Sequence, residues 1–323
     1  MRYVYTLVQS MLNNSKALLI GANYTSMPEC ALNGCINDIV NMRNMLIDAY
    51  KYTPSNITIL RDDVTTPSLL PTRNNILTNL KQIVASSSQC REIWIHYSGH
   101  GSRVIDENRD EKTGLDDVIV PIDYKTAGFI LDDEIFQIIK DIKCRAFLIF
   151  DSCHSATVCD LEWSFEYKTG NSFLRSQNNR ATITNPQIYV FSGCKDNQTS
   201  ADVYNVKKQM YVGAMTESFI ECSRTNAYKG SITNLYADIC KYISFMGYSQ
   251  KPMFSSSSKT PAYIFTTNVL SSSAISSSVI SRINNSTAST AGKPSPTKNL
   301  MMPMQQSYKR TIKNKNAMRM AMI

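Results

Sequence analysis

Residues 92–101, EIWIHYSGHG, combine an apolar run typical of a buried strand with a histidine between two glycines. β-branched and aromatic residues favour strands, and the glycines that end the run permit a sharp turn. A second stretch, RAFLIFDSCHS (145–155), is built in the same way, as an apolar run that leads into Cys153. We therefore expect both motifs to follow strands of one sheet.

On both sides of these motifs, strand-like and helix-like segments alternate along most of the chain. Further strands are expected at 16–23, 57–60, 118–121, 187–192 and 261–265, and helices at 35–50, 72–84, 132–139, 212–223 and 231–246. This alternation predicts an α/β fold with a mostly parallel sheet between layers of helices. Sheets of this kind carry their chemistry beyond the carboxyl ends of the strands, where both motifs lie. The polar stretch 161–186 is expected to be irregular.

The composition is that of a globular protein in a reducing compartment. Hydrophobic residues make up 43% of the 323 residues, and no apolar run approaches the roughly 20 residues that span a bilayer. Residues 1–15 lack a continuous apolar core and an A-x-A cleavage site, so we expect a short leader rather than a signal peptide. Nine cysteines, an odd number without a paired framework, favour a cytoplasmic location over a disulfide-bonded secreted one.

The net charge of +8 is concentrated in the C-terminal tail. Residues 281–323 hold eight Lys and Arg residues and no acid, which leaves 34 − 8 = 26 basic against 26 acidic residues elsewhere. From residue 267 onward the composition shifts to Ser, Asn, Thr, Lys and Met without a helical or strand period, which predicts a disordered tail (267–323). The scattered charges favour a solvated tail over a specific nucleic-acid site.

Cys153 and His100 are candidates for a nucleophile and its base. Cysteine catalysis requires a thiolate, which a neighbouring imidazole supplies by accepting the proton. The separation of 153 − 100 = 53 residues, with His first, is close to that of caspases; a buried thiol and a structural loop histidine are the alternative. His96 lies inside a strand and is expected to be structural, and His154 only adjoins the nucleophile. Backbone N–H groups near Gly101 and Cys153 are expected to stabilise an oxyanion.

The chain resembles the type I metacaspases, which are caspase-like cysteine peptidases. The matching stretches, in the family's order, are KALLIGANY, GCINDI, HYSGHGS, DDVIVPIDY, LDDEIF, DSCHSATVCD, FSGCKDNQTSAD, GAMTESF and QKPMFSSS. The resemblance implies a monomeric peptidase with its domain at 16–266, in which parts like the large (16–160) and small (187–266) subunits flank a linker (161–186). About 15 residues precede the first expected strand, so we expect no long prodomain of the kind that many type I members carry, and we expect regulation by calcium and cleavage.

The predicted specificity is for Arg or Lys at the cleaved bond. Caspases that cut after Asp use arginines, whereas here Asp151 stands just before the nucleophile and would attract a basic side chain. The family's pocket for basic residues, carried over by motif, implies Asp38, Cys35 and Ser98 as further substrate contacts. For Asp38 alone, an acid that stabilises a helix N-terminus is an equally good interpretation.

An acidic stretch lies between the base and the nucleophile. A solvated loop, or a helix cap at Asp132 and Asp133, is the ordinary interpretation of such charges. Several of these acids adjoin apolar strand and helix starts, where calcium, which prefers roughly six to eight oxygen ligands, would relieve their repulsion. The resemblance implies an activating calcium ion bound by Asp116, Asp132, Asp133 and Asp160. No Cys/His spacing suits zinc and no Gly-rich phosphate loop follows a strand, so neither zinc nor a nucleotide is expected.

Two other functions compete with that of a peptidase. A catalytically weak caspase-like regulator would be expected to lack the dyad or the pocket acids, and all of them are present. The basic tail would alternatively tether the chain to acidic partners, which truncation near residue 267 would test. The predicted partners are protein substrates, and self-cleavage at Lys168, Arg175 or Arg180 is a further hypothesis.

Overall fold

The computed structural model of the chain describes residues 14–105, 115–152, 161–178, 182–193, 202–205 and 209–267. The strands in these ranges are β1 (Ser15–Gly21), β2 (Ile57–Arg61), β3 (Glu92–Ser98), β4 (Gly101–Ile105), β5 (Leu115–Ile119), β6 (Ile130–Leu131), β7 (Arg145–Asp151), β8 (Trp163–Thr169), β9 (Ser172–Gln177), β10 (Ile188–Ser192), β11 (Asp202–Asn205), β12 (Met210–Gly213), β13 (Gly230–Ser231), β14 (Met253–Ser256) and β15 (Ile264–Phe265). The α-helices are α1 (Cys35–Asp48), α2 (Arg73–Ala85), α3 (Tyr124–Ala127), α4 (Asp132–Ile139), α5 (Ala214–Thr225) and α6 (Ile232–Phe245).

Eight of these strands form one sheet in the order β2-β1-β3-β7-β10-β14-β8-β9. The strands from β2 to β10 in this order run parallel, and β14, β8 and β9 pair antiparallel. The predicted α/β fold with a mostly parallel sheet is therefore confirmed. In the parallel part, helices lie in the connections from β1 to β2, from β2 to β3 and from β3 to β7, whereas the described part of the connection from β7 to β10 contains the strands β8 and β9.

Helices cover both faces of the sheet, and each face has its own hydrophobic core. On one face, Ile39 of α1 and Phe219 of α5 belong to the same core as Trp94 of β3. On the other face, Leu80 of α2 shares a core with Ile95 of β3. Successive side chains of a strand point to opposite faces, so β3 supplies both cores. Burial on both faces explains the continuous apolar runs at β3 and β7 in the sequence.

Residues 163–177 form an antiparallel hairpin, so the expectation of an irregular stretch is wrong there. β8 and β9 are joined near Gly170, whose φ of +59° suits glycine, and β8 pairs with β14. Phe165 of β8 is buried against Phe254 of β14, with ring centroids 5.4 Å apart. Aromatic and polar residues alternate in W-S-F-E-Y at 163–167, as in a strand with one buried face. The polar residues of this alternation led to the expectation of an irregular stretch.

Two of the three predicted self-cleavage positions lie in this hairpin. Lys168 belongs to β8 and forms an ion pair with Glu166 at 3.2 Å, and Arg175 of β9 pairs with Phe165. Exposed loop tips are the preferred sites of proteolysis, so cleavage at either position would require the hairpin to open. Arg180 lies outside the described residues, and self-cleavage stays a hypothesis.

The remaining described strands form three small sheets. One consists of the antiparallel strands β4, β5 and β6, of which β4 begins at Gly101. In another, β11 pairs with β12, and β12 leads directly into α5. The strand expected at 261–265 is reduced to the two residues of β15, which pair with β13 instead of joining the main sheet. β14, which does join it, was not predicted.

The predicted leader and tail lie outside the described residues, apart from positions 14, 15 and 267. Within the ranges that are described, no helix is both long enough and apolar enough to cross a membrane.

Candidate functional site

β3 and β7 are neighbours, so the two sequence motifs leave the sheet side by side. Ser98 pairs with Asp151 in the parallel register, and the Gly99 N–H donates to the Asp151 carbonyl oxygen at 3.3 Å. His100 follows Ser98 by two residues, and Cys153 follows Asp151 by two. Cys153 lies outside the described residues, so the dyad stays a prediction although the two segments that carry it adjoin.

The imidazole of His100 is oriented by a backbone carbonyl group. Its Nε2 lies 2.7 Å from the Cys30 carbonyl oxygen, which only accepts hydrogen bonds, so Nε2 carries the hydrogen of the neutral ring. Nδ1 then carries the lone pair that can accept a proton. The Tyr24 ring lies against the imidazole, with centroids 4.6 Å apart. The arrangement suits a general base whose basic nitrogen has one fixed direction.

Two buried carboxylates lie beside this end of the sheet. The Ser98 hydroxyl donates to Asp38 Oδ2 at 2.6 Å, and the Gly213 N–H donates to Asp38 Oδ1 at 2.9 Å. The Thr216 N–H donates to Asp151 Oδ2 at 2.7 Å. Gly213 precedes α5 and Thr216 lies in its first turn, so the positive end of the helix dipole faces both acids. The structure thus brings together three predicted pocket residues, Asp38, Ser98 and Asp151.

Gly213 lies between the two carboxylates and was not predicted as a site residue. A Cβ atom at this position would overlap the Asp151 carboxylate and lie 2.6 Å from Asp38 Oδ2. Any larger residue would therefore push the acids apart. A glycine directly before a helix was visible in GAMTESF, but its neighbours in space were not. We call Asp38, Ser98, Asp151 and Gly213 the acidic pocket.

Cys35, the fourth residue predicted to contact substrate, is buried in the first turn of α1. Its N–H donates to Asn23 Oδ1 at 3.0 Å, so the Asn23 side chain holds the start of the helix. Residues three apart lie on the same helix face, so Cys35 lies on the same side of α1 as Asp38. Its contact with substrate stays a prediction.

His96 lies inside β3 and is completely buried behind the acidic pocket. Its Nε2 is 3.0 Å from Thr216 Oγ1, and the N–H of Thr216 holds Asp151. Burial disfavours the charged imidazole and lowers the pKa of His96 to about 3. The ring is therefore neutral at neutral pH and adds no positive charge behind the pocket.

Three of the four predicted calcium ligands lie near one end of the sheet of β4, β5 and β6. Asp116 and Asp117 lie in β5, and Asp132 and Asp133 form the first turn of α4. β5 pairs antiparallel with β6, and β6 leads directly into α4, so the register brings Asp116 opposite that first turn. We call these four residues the acidic cluster.

Charge in the acidic cluster is partly compensated. Asp117 forms an ion pair with Arg103 at 2.8 Å, whereas Asp116 and Asp132 are 5% and 1% exposed. Carboxylate oxygens are the ligands that calcium prefers, so the type of donor in the cluster suits that ion. Asp160 lies outside the described residues, and within the described ranges no three His, Cys, Asp or Glu side chains are arranged to hold a metal.

Matches to known proteins point to one family. Residues 15–162 match the family model described as metacaspase, peptidase C14 domain. Metacaspase-1B of Aspergillus terreus is 33% identical over 287 residues, which cover 75% of this chain and 75% of that protein. Metacaspase-1 of Scheffersomyces stipitis is 33% identical, with 75% and 70% covered. Metacaspase-1A of Neurospora crassa is 35% identical over 75% of this chain, and the chain spans 62% of its length.

A solved structure from Geobacter sulfurreducens has a similar fold. Its TM-score is 0.54 at 20% sequence identity, and the match covers 76% of this chain and 94% of that one. At this level of identity the likeness concerns the fold alone.

Proposed function

The chain belongs to the metacaspase family of C14 peptidases, and we propose that it is a cysteine endopeptidase that cleaves peptide bonds after Arg or Lys. The observation that carries the proposal is the pair of buried carboxylates, Asp38 and Asp151, beside the histidine motif at the end of β3. The proposed substrates are proteins and peptides with a basic residue at the cleaved bond.

In the proposed reaction Cys153 is the nucleophile and His100 is its base. Nδ1 of His100 accepts the thiol proton, and the thiolate attacks the carbonyl carbon of the substrate. The C–N bond breaks as His100 gives the proton to the leaving amine, which leaves a thioester on Cys153. Water then gives a proton to His100 and attacks the thioester, and the proton returns to the thiolate as the acid product leaves.

The N–H groups of Gly101 and Cys153 are the proposed donors to the oxyanion. The Val120 N–H donates to the His100 carbonyl oxygen at 3.1 Å, so these two residues occupy a hydrogen-bonded position of the antiparallel ladder. Hydrogen-bonded pairs alternate with non-hydrogen-bonded pairs along such a ladder. The next pair, Gly101 and Ile119, is therefore a non-hydrogen-bonded one. The Gly101 N–H consequently points away from β5, which supports its use as a donor to developing charge.

The acidic pocket supports selection of a basic side chain. Asp38 and Asp151 receive hydrogen bonds from a hydroxyl group and from backbone N–H groups, which are neutral donors. A guanidinium or ammonium group that enters beside them gains charge-assisted hydrogen bonds. A substrate aspartate would meet like charge and be rejected. Cys35 is proposed as a further wall of this pocket.

The acidic cluster supports a requirement for calcium. Bound there, the ion would supply the positive charge that lets several carboxylates share one site. β5 extends from this cluster toward Val120, whose backbone N–H donates to the His100 carbonyl oxygen. An ion that holds β5 in place would therefore also help to hold His100 in place. The proposed ligands are Asp116, Asp132, Asp133 and Asp160.

The proposal is tested with matched fluorogenic peptides that carry Arg or Asp at the cleaved bond. Purified protein and Cys153→Ala are compared with calcium in excess and with chelator. We expect cleavage of the Arg peptide only by the unaltered protein with calcium. Faster cleavage after Asp would contradict the specificity, and activity in Cys153→Ala would contradict the nucleophile. Activity unchanged by chelator would remove calcium and leave the peptidase.

A further inference from the structure

The hydroxyl of Tyr24 is inserted into the backbone ladder beside His100. The Val120 N–H donates to the His100 carbonyl oxygen at 3.1 Å, and in an ordinary antiparallel pair the His100 N–H would donate back to the Val120 carbonyl oxygen. Instead the His100 N–H donates to Tyr24 Oη at 3.0 Å, and Tyr24 Oη donates to the Val120 carbonyl oxygen at 2.6 Å. The phenol therefore determines how far His100 lies from Val120.

Tyr97 of β3 completes the arrangement. Its Oη donates to the His100 carbonyl oxygen at 2.7 Å and lies 3.3 Å from both Tyr24 Oη and the Val120 backbone nitrogen. Tyr24 and Tyr97 are 0% and 1% exposed. Both backbone polar groups of His100 are thus held by phenol hydroxyls, and we call these residues the tyrosine pair.

The glycine that precedes His100 is explained by the tyrosine pair. A Cβ atom at Gly99 would lie 2.6 Å from Tyr97 Oη and 3.2 Å from Tyr24 Oη, so the hydroxyl groups leave no room for a side chain. A residue between two glycines has little conformational restraint from its own segment. The position of His100 therefore depends on contacts from elsewhere in the fold.

Tyr24 also contacts the imidazole from a firmly held loop. Its ring lies 4.6 Å from that of His100, centroid to centroid, and Cys30 of the same loop receives the hydrogen bond from Nε2. Asp62 accepts hydrogen bonds from the N–H groups on either side of Tyr24, at 2.9 and 2.8 Å. The Tyr24 backbone adopts φ +54°, which is uncommon for a residue with a side chain and is often associated with function.

We infer that Tyr24 and Tyr97 are positioning residues for the catalytic imidazole, an inference that rests on the proposed role of His100 as the base. Neither phenol transfers a proton in the reaction. Burial raises the pKa of Tyr24 well above its usual value, so its hydroxyl stays protonated and keeps donating. The competing explanation is core packing, which needs the aromatic rings but not the hydroxyl groups. Phenylalanine separates the two, because it keeps the ring.

The test is Tyr24→Phe in the full chain, assayed on the Arg peptide with calcium. We expect kcat to fall about tenfold with little change in KM, because the base is displaced and the acidic pocket is not. The pH dependence of Cys153 alkylation by iodoacetamide should shift as well, since thiolate formation depends on the imidazole. Tyr97→Phe should change both quantities in the same direction and by less.

Tyr236→Phe is the matched control. Tyr236 is 1% exposed, and its hydroxyl donates to the carbonyl oxygens of Phe165 and Pro252 at 2.8 and 3.1 Å, among β8, β14 and α6. This variant should lose a comparable amount of thermal stability and keep kcat and the alkylation profile.

Two outcomes separate this inference from the proposed function. A Tyr24→Phe variant that changes only the melting temperature, as the control does, would overturn the inference; if it does not fold, the same measurements on Tyr97→Phe decide. An unaltered protein with no activity on any peptide would contradict the proposed function instead, and the alkylation profiles of the variants would still test the tyrosine pair.

Discussion

In the described part of the chain, the acidic pocket and the acidic cluster hold their carboxylates in different ways. The acidic pocket is assembled from distant parts of the chain, since the Gly213 N–H that contacts Asp38 is 175 residues away. The acidic cluster is assembled locally, from β5 and the start of α4, and Asp117 within it already has a fixed cationic partner, Arg103. The donors described for the pocket acids are a hydroxyl group and backbone N–H groups, whereas the described part of the cluster contains an ion pair.

This difference bears on what each group is proposed to bind. A fixed arginine cancels the charge that would otherwise attract a ligand, whereas a hydroxyl or backbone N–H orients a carboxylate and leaves its charge in place. The acidic pocket thus has the features that the proposed selection of a basic side chain requires. In the acidic cluster Arg103 compensates Asp117, and the calcium proposed for this site would compensate the acids beside it on the strand and the helix start.

The largest expected effect comes from removal of one pocket charge. Asp38→Asn keeps the shape of the side chain and its contact with Gly213, but it removes the negative charge that is proposed to face the substrate's basic group. We expect kcat/KM for the Arg peptide to fall about a hundredfold, which corresponds to about 2.7 kcal/mol of lost transition-state stabilisation. The exposed ion pair of Asp63 with Arg61 offers the control Asp63→Asn. Equal losses in the two variants would show that the pocket is not selective for charge.

A smaller effect is expected from the acidic cluster. Asp132→Asn should raise the calcium concentration needed for half-maximal activity about tenfold and leave the preference for Arg over Asp peptides unchanged. Because a ligand that binds only the folded state stabilises it, calcium should raise the melting temperature of the unaltered protein more than that of the variant. Asp141→Asn, an exposed acid after α4, is the control. An unchanged calcium response in Asp132→Asn would remove this residue from the site.

The last prediction concerns stability instead of activity, at His96, which supports the pocket through Thr216. Its pKa is about 3 in the folded chain against 6.5 for a free side chain, so between these values the unfolded state binds more protons. The free energy of unfolding therefore decreases as the pH falls below about 6.5, by up to about 1.4 kcal/mol per pH unit from this residue. Urea unfolding of His96→Gln should show a shallower decrease between pH 6.5 and 4. Parallel pH profiles for both proteins would contradict a neutral buried imidazole.

Helices and strands were predicted well where their signals lie in a few consecutive residues. α4 begins at Asp132 and ends at Ile139 as expected, because its acids lie in the first turn and its apolar residues follow a helical period. The hairpin of β8 and β9 was missed because its single buried face depends on β14 and α6, which follow it in the chain. The expected strand at 261–265 was overestimated for a similar reason, since only two residues find a pairing partner.

Sequence alone determined which chemistry this protein carries: a cysteine and a histidine after two strands, acids in their motifs, and an alternation that specifies a parallel sheet. Those features lie in short stretches of neighbouring residues and in the composition, so they can be recognised without knowing which segments pack together. Only the tertiary structure decided that Gly213 separates two carboxylates and that a tyrosine hydroxyl bridges the ladder at His100. These contacts join residues 76 to 175 positions apart, and the packing of strands and helices, not any local pattern, sets such distances.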